Sequence, residues 1–245
     1  MKTTGSSIAT NGFANEVDVC QKFDNWKYDP DTQIWLETMQ YDLSRIEYVK
    51  AVVLSGYKTD VQVQVSIKTK DLIDAQNLQV KLVSNPKGYN QIDKRWVDKY
   101  CEMWGFGNDI LLTLKQYTGE LPASSTNLRD ERRMFMDEFS EVAQTQLVKW
   151  FTDNKYLVVS DIMKGRGHFA AEWILVALKV DDNCSWTLKP MNVAMNHFAS
   201  GDVCITSTGN VKIGRITMQR KGGDGGKETA KMLQFKLNPV ELFDI

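Results

Sequence analysis

A mixed α/β fold, with a central sheet flanked by helices and a strand-rich second lobe, is predicted by three features of the sequence. Residues 59–67 and 77–84 alternate apolar and polar side chains as half-buried strands do. Residues 13–26 and 90–104 repeat apolar side chains at helical spacing. Past a polar loop at 119–129, the chain reads as a succession of strands with few helices between them.

Taken in order, the first helix spans 13–26, with Phe13, Val17, Cys20 and Phe23 along one face. The apolar, β-branched run 49–55 ends at Gly56 and reads as a strand. In the next strand, 59–67, Val61, Val63, Val65 and Ile67 alternate with Gln62, Gln64 and Ser66. After a polar turn through Lys70, Asp71 and Asp74, residues 77–84 put Leu78, Val80 and Leu82 on one face and Gln79 and Lys81 on the other. Asn85, Pro86, Lys87 and Gly88 form a turn. A helix over 90–104 is expected from Ile92, Trp96, Val97, Tyr100 and Trp104, and another around 110–117. The loop at 119–129 is the expected boundary between two lobes, which could also pack as a single domain. A long helix at 132–154 follows, then strands at 156–162, 173–180, 186–189, 203–206, 211–220 and 233–237, with a short helix at 191–198.

The chain has 245 residues, 42% of them hydrophobic and 25% charged, enough to bury a substantial core. No stretch approaches the length of a membrane span, and the first residues hold no apolar run of signal-peptide length, so a cytoplasmic protein without a membrane partner is expected. The four cysteines lie far apart, with no CxxC pair, which excludes zinc-finger spacing and predicts reduced, mostly buried thiols. The formal net charge of −1 gives no sign of a polyanionic partner, but its distribution is uneven. Residues 211–236 carry seven basic side chains against two acidic ones, the pattern of an anion-binding face or of a bland surface strand with a Gly-rich loop.

Period-two geometry sets Gln79 and Lys81 side by side, with the Val80 carbonyl between them and Asp60 near the head of the neighbouring strand. An acid, an oxygen ligand and a lysine so placed match what Mg²⁺-dependent phosphodiester hydrolysis requires, because Mg²⁺ prefers a few protein oxygens and completes its shell with water and phosphate. Asp60, Gln79 and the Val80 carbonyl would be the metal ligands, and Lys81 would orient the attacking water. The same spacing also suits an exposed strand face preceded by a strand-initiating Asp.

The segments VKAVVLSGYKTDVQVQV, NLQVKLVSN, GYNQIDKRW, TGELP, RRMFM, DIMKGRGHFAAEW and QRKGGDGGKETAKMLQFK, with the terminal ELFDI, resemble the HinPI family of Type II restriction endonucleases and, more distantly, the MspI family. Both belong to the PD-(D/E)xK nuclease superfamily. This resemblance implies a nuclease cutting double-stranded DNA at a short palindrome, GCGC, with Mg²⁺ as cofactor and 5′-phosphate ends as products. It implies catalytic roles for Asp60, Gln79 and Lys81, a catalytic core at 1–118, a DNA-recognition lobe at 119–245, and a cognate DNA methyltransferase. Thr59 stands where the superfamily name has Pro, and Gln79 where it has an acid, an amide the group tolerates. Glu16 resembles the helix acid that many of these nucleases aim at the metal, and equally suits a solvated helix-terminal carboxylate. A non-catalytic DNA-binding module is the alternative reading, and the nuclease reading is compatible with both a homodimer and a monomer nicking the strands in turn.

Recognition is expected from two places. The helix opened by GYNQIDK would carry Tyr89, Asn90, Gln91, Asp93 and Lys94 to the duplex beside the scissile phosphate. A strand end bearing Gln219, Arg220 and Lys221 leads into glycines that allow close backbone approach to phosphates. Lys164, Arg166 and His168 form a smaller basic patch.

Overall fold

The structure, a computed structural model, describes residues 5–54, 63–124, 129–181 and 183–245. In chain order, the elements begin with α1 (Gly5–Asp24), whose Val19, Cys20 and Phe23 are buried at helical spacing. α2 (Pro30–Thr38) was not legible in the sequence periodicity. It starts where Asp29 accepts the Thr32 N–H at 2.8 Å and Pro30 presets the first turn. Lys22 bridges Asp29 and Asp31, both at 2.8 Å, and so ties α2 back to α1.

β1 (Ile46–Val53), β2 (Val63–Thr69) and β3 (Ile73–Val83) follow, and then β4 (Asn90–Arg95). The helix expected at 90–104 is thus divided. Residues 90–95 form an edge strand that buries Ile92 and Asp93, and only α3 (Val97–Trp104) is helical. α4 (Asn108–Thr118) is as expected. The long helix at 132–154 shortens to α5 (Glu141–Asp153), capped by Ser140 accepting the Ala143 N–H at 3.3 Å, while residues 132–140 hold turns and a short 3₁₀ segment. Residues 156–162, expected as a strand, lie in α6 (Lys155–Met163). Its apolar run is buried at Val158, Val159, Ile162 and Met163, a helical stripe that a short β-branched run disguises. The remainder comprises β5 (Trp173–Val180), β6 (Asn183–Pro190), α7 (Met191–Ala199), β7 (Val203–Ile205), β8 (Val211–Ile213), β9 (Ile216–Arg220) and β10 (Leu233–Leu237). The single strand expected at 211–220 is therefore a hairpin turning at Gly214 and Arg215.

The chain forms two compact units, interleaved in sequence: residues 1–90, 163–194 and 238–245, and residues 91–162 and 195–237. The first holds a mixed sheet in the order β1-β2-β3-β5-β6, antiparallel except where β3 runs parallel to β5. One face is a core of Phe23, Trp35 and Leu36 against Val63, Val65, Leu78, Val80 and Leu175. Phe23 and Trp35 meet with ring centroids 5.4 Å apart, and Trp35 and Trp186 at 5.1 Å. The second unit holds a sheet ordered β4-β10-β9-β8-β7. Its core is aromatic, with Tyr100 stacked on Trp104 at 4.7 Å and edge-on to Phe235 at 5.3 Å.

All four cysteines are free, as expected, but only Cys20 is buried, while Cys184 and Cys204 are exposed. Among the described residues no helix is long and apolar enough to cross a membrane.

Candidate functional site

β3 changes partners halfway along. Among the described residues, its ladder with β2 runs from Ile73 to Leu78, and its ladder with β5 from Leu78 to Val83. Gln79, Val80 and Lys81 follow that exchange. Leu78 and Val80 enter the apolar core, so alternation turns Gln79 and Lys81 to the opposite face. There Gln79 is 1% exposed, and its Oε1 has no hydrogen-bond partner among the described residues. A buried amide oxygen left unpaired costs about 1–3 kcal/mol, which a ligand to that oxygen would recover. An electropositive ligand suits it, since the atom can only accept. Lys81 lies one pleat further on the same face and is half-buried. Glu16 lies on α1, partly buried, beside the buried Asn15. Asp60 lies outside the described residues, shortly before Val63, the first residue of the ladder that reaches Leu78.

The turn after β3 is held to it. Asn90 donates its Nδ2 proton to the Leu82 carbonyl at 2.9 Å, and Tyr89 is exposed beside it. In β4, Gln91 and Lys94 are exposed. Asp93 is buried and engaged: Arg95 grips both of its oxygens, Nε at 3.1 Å and Nη2 at 2.8 Å, and the Tyr100 hydroxyl donates to it.

The second unit contains a cavity of about 360 Å³ lined by Arg132, Arg133, Arg220, Lys227 and Lys231, with Asp130 and Glu228 opposing them. Arg220 stands at the end of β9 and donates through Nε to the Ala230 carbonyl at 3.1 Å. Burial disfavours its charge, as do the nearby guanidinium groups of Arg133 and Arg132, with Asp130 opposing them. An anion in the cavity would relieve that strain. Asp130 is spent on Arg132, which binds it through Nε at 2.8 Å and Nη2 at 3.0 Å, and this pairing depresses its own pKa. Arg133 packs 3.9 Å over the Phe135 ring, and its buried Nη1 has no hydrogen-bond partner among the described residues. Gly222, Gly223 and Gly226 wall the cavity with positive φ, and a Cβ on any of them would meet only open space, while the Gly222 N–H is used by the Ala230 carbonyl at 2.9 Å. Gln219 and Lys221, expected beside Arg220, are both partly buried, and the Lys221 N–H pairs with the Met232 carbonyl at 2.8 Å.

The sequence reading found Arg220 but missed Arg132 and Arg133. The paired arginines in RDERR were the available signal, and they resembled an ordinary charged stretch because their partner lies far along the chain.

Comparison with known proteins agrees with this architecture. No curated protein matches the chain. Among solved structures, it is similar to "restriction endonuclease MspI in complex with its cognate DNA", with a TM-score of 0.66 and 14% identity, over 95% of this chain and 91% of that one. The R.HinP1I restriction endonuclease family matches residues 39–243, a span that includes β3 and both sheets. The chain therefore belongs to the R.HinP1I restriction endonuclease family and is a Type II site-specific deoxyribonuclease.

Proposed function

We propose that this endonuclease hydrolyses both strands of DNA at GCGC with Mg²⁺, leaving 5′-phosphate and 3′-hydroxyl ends, from a centre of Asp60, Gln79 and Lys81. The observation that carries the reading is the buried, unpartnered Oε1 of Gln79, one pleat from Lys81 on the same strand face. That oxygen suits a hard cation, and Asp60, Gln79 Oε1 and the Val80 carbonyl are the groups that would hold it. When bound, the ion supplies Lewis acidity and an acidified water. Lys81 orients the attacking water by hydrogen bonding and places a positive charge where the phosphorane gathers negative charge. Burial of Gln79 keeps bulk water from competing for its oxygen.

Duplex DNA as the ligand is supported by the MspI likeness, since that relative was solved on its cognate DNA. The arginine-lined cavity suits phosphate or guanine O6 and N7. We assign DNA reading to Tyr89 and Asn90 on the turn after the catalytic strand, to Gln91 and Lys94 on β4, and to Gln219, Arg220 and Lys221 at the cavity, with Asp93 bracing β4 through Arg95 and Tyr100. The functional division takes the form of the units, catalysis on the first and most of the anion binding on the second. A methyltransferase protecting GCGC belongs to the same system, and the compartment is the cytoplasm that holds the DNA. A homodimer would cut both strands in one encounter.

Incubating phage DNA of known sequence with the protein and Mg²⁺ tests the proposal. Discrete fragments ending at GCGC are expected; fragments mapped to another sequence would overturn the specificity, and intact DNA the metal and site assignment.

A further inference from the structure

Asn77 shares the strand face of Gln79, one pleat and about 7 Å back. It is buried, and every polar atom of its side chain is used. Gln64 donates its Nε2 proton to Asn77 Oδ1 at 2.9 Å, while Asn77 Nδ2 donates to the carbonyls of His168 at 3.0 Å and Ala170 at 3.3 Å. The backbone repeats the link. Asn77 N–H donates to Glu172 Oε2 at 3.0 Å, and Glu172 N–H to the Asn77 carbonyl at 2.8 Å. The loop between α6 and β5 is therefore clamped to the catalytic strand immediately beside the unpaired Gln79 oxygen. That loop carries Lys164, half-buried, with Arg166 and His168 exposed, and no acidic residue before Glu172.

Resting on the DNA-cleaving reading above, we propose that this loop is a backbone clamp for the strand being cut. Lys164 and Arg166 bind phosphates next to the scissile one, and Asn77 is the positioning residue that fixes their distance from Gln79. The contact is to phosphate, so it contributes affinity at every sequence. Each phosphate neutralised adds about 0.9 to the slope of log K against log salt.

The test is fluorescence anisotropy of the whole protein on a GCGC duplex and on a scrambled duplex, without Mg²⁺, across a salt series. Lys164→Ala with Arg166→Ala removes both cations of the loop. It is expected to lower the salt slope by about 1.8 on both duplexes. Asn77→Asp leaves both cations in place but sets a carboxylate against the two carbonyls. It is expected to lower the slope in the same way and to reduce kcat more than it raises KM, whereas Asn77→Ser, which retains a donor, recovers part of both. An unchanged slope in the double variant, while the unaltered protein binds with a measurable slope, would overturn the clamp alone. Absence of DNA binding by the unaltered protein would overturn the clamp and the DNA-cleaving reading together. A slope lowered only on GCGC would replace the phosphate role with base reading.

Discussion

The first unit presents a buried, neutral amide at Gln79 where the second presents a cavity ringed by guanidinium and ammonium groups. The Gln79 side chain brings no charge of its own to its face of β3. The cavity has the opposite character: burial, and then the nearby Arg133 and Arg132, lower the pKa of Arg220. The contrast teaches a division of electrostatic labour. On the proposed function, a centre with a neutral amide in place of an acid would hold a cation weakly until phosphate oxygens join it, whereas a cavity rich in cations would hold the polyanion whether or not chemistry follows.

The largest effect should separate cutting from binding. Lys81→Ala, like Asp60→Ala, is expected to slow cleavage by about 10³-fold, within the range of a lost acid–base or charge-stabilising group, with DNA affinity nearly unchanged. Arg220→Ala should do the reverse, weakening binding about tenfold and lowering the salt slope by about 0.9. Quantified gels and mobility shifts decide it, and the comparison breaks if Lys81→Ala loses affinity or Arg220→Ala keeps it.

Next in size is a stability effect within the second unit. Asp93→Ala removes the buried carboxylate that both Arg95 and the Tyr100 hydroxyl use. A loss of about 3 kcal/mol is expected in urea unfolding, the scale of breaking a buried ion pair. A variant as stable as the parent, with altered sequence preference, would make Asp93 a reader of bases instead.

Gln79→Glu sharpens the comparison from the other side by adding one negative charge to the charge-poor centre. The Mg²⁺ concentration for half-maximal rate should fall, on the order of tenfold, and calorimetric titration with Ca²⁺ should show tighter binding. Identical curves for the two proteins would separate Gln79 from the metal.

The smallest effect concerns Glu120, also in the second unit. Burial raises its carboxyl pKa, although the Val97 N–H and the Thr118 hydroxyl, both at 3.2 Å, favour the charged form. A folded pKa above the unfolded one gives stability that is present below about pH 4 and lost as pH rises through the raised value. Glu120→Gln removes that loss while keeping an acceptor for Val97. A small rise in Tm at neutral pH and none at about pH 4 is expected by calorimetry, and a fall at neutral pH would contradict the burial argument.

Much of the first sheet was legible because a single strand carries its own signal. The alternation in β2 and β3 orients Val63, Val65, Leu78 and Val80 against Gln79 and Lys81 without knowledge of any partner. β4 and α6 were not legible. Residues 90–95 hold a single apolar residue, Ile92, which suits either period, and what makes them a strand is the neighbouring β10. Residues 155–163 hold β-branched residues with a strand's preference, and burial of a helical stripe overrides it. Within the candidate site, the strand residues could be named in advance, but not Asn77, whose side chain reaches residues 168 and 170.

The sequence by itself determined the mixed α/β class, the shared face of Gln79 and Lys81, and the basic bias of residues 211–236, because each follows from local spacing or composition. Only the tertiary structure decided that Arg132 and Arg133 share a cavity with Arg220, that Asp93 is occupied by Arg95 and Tyr100, that Gln79 is buried with its oxygen unpaired among the described residues, and that the loop before β5 is bound to β3. These are encounters between side chains distant in the chain or buried by packing. Periodicity gives a residue its face on a strand or helix, while the partner on that face is set by how the elements pack.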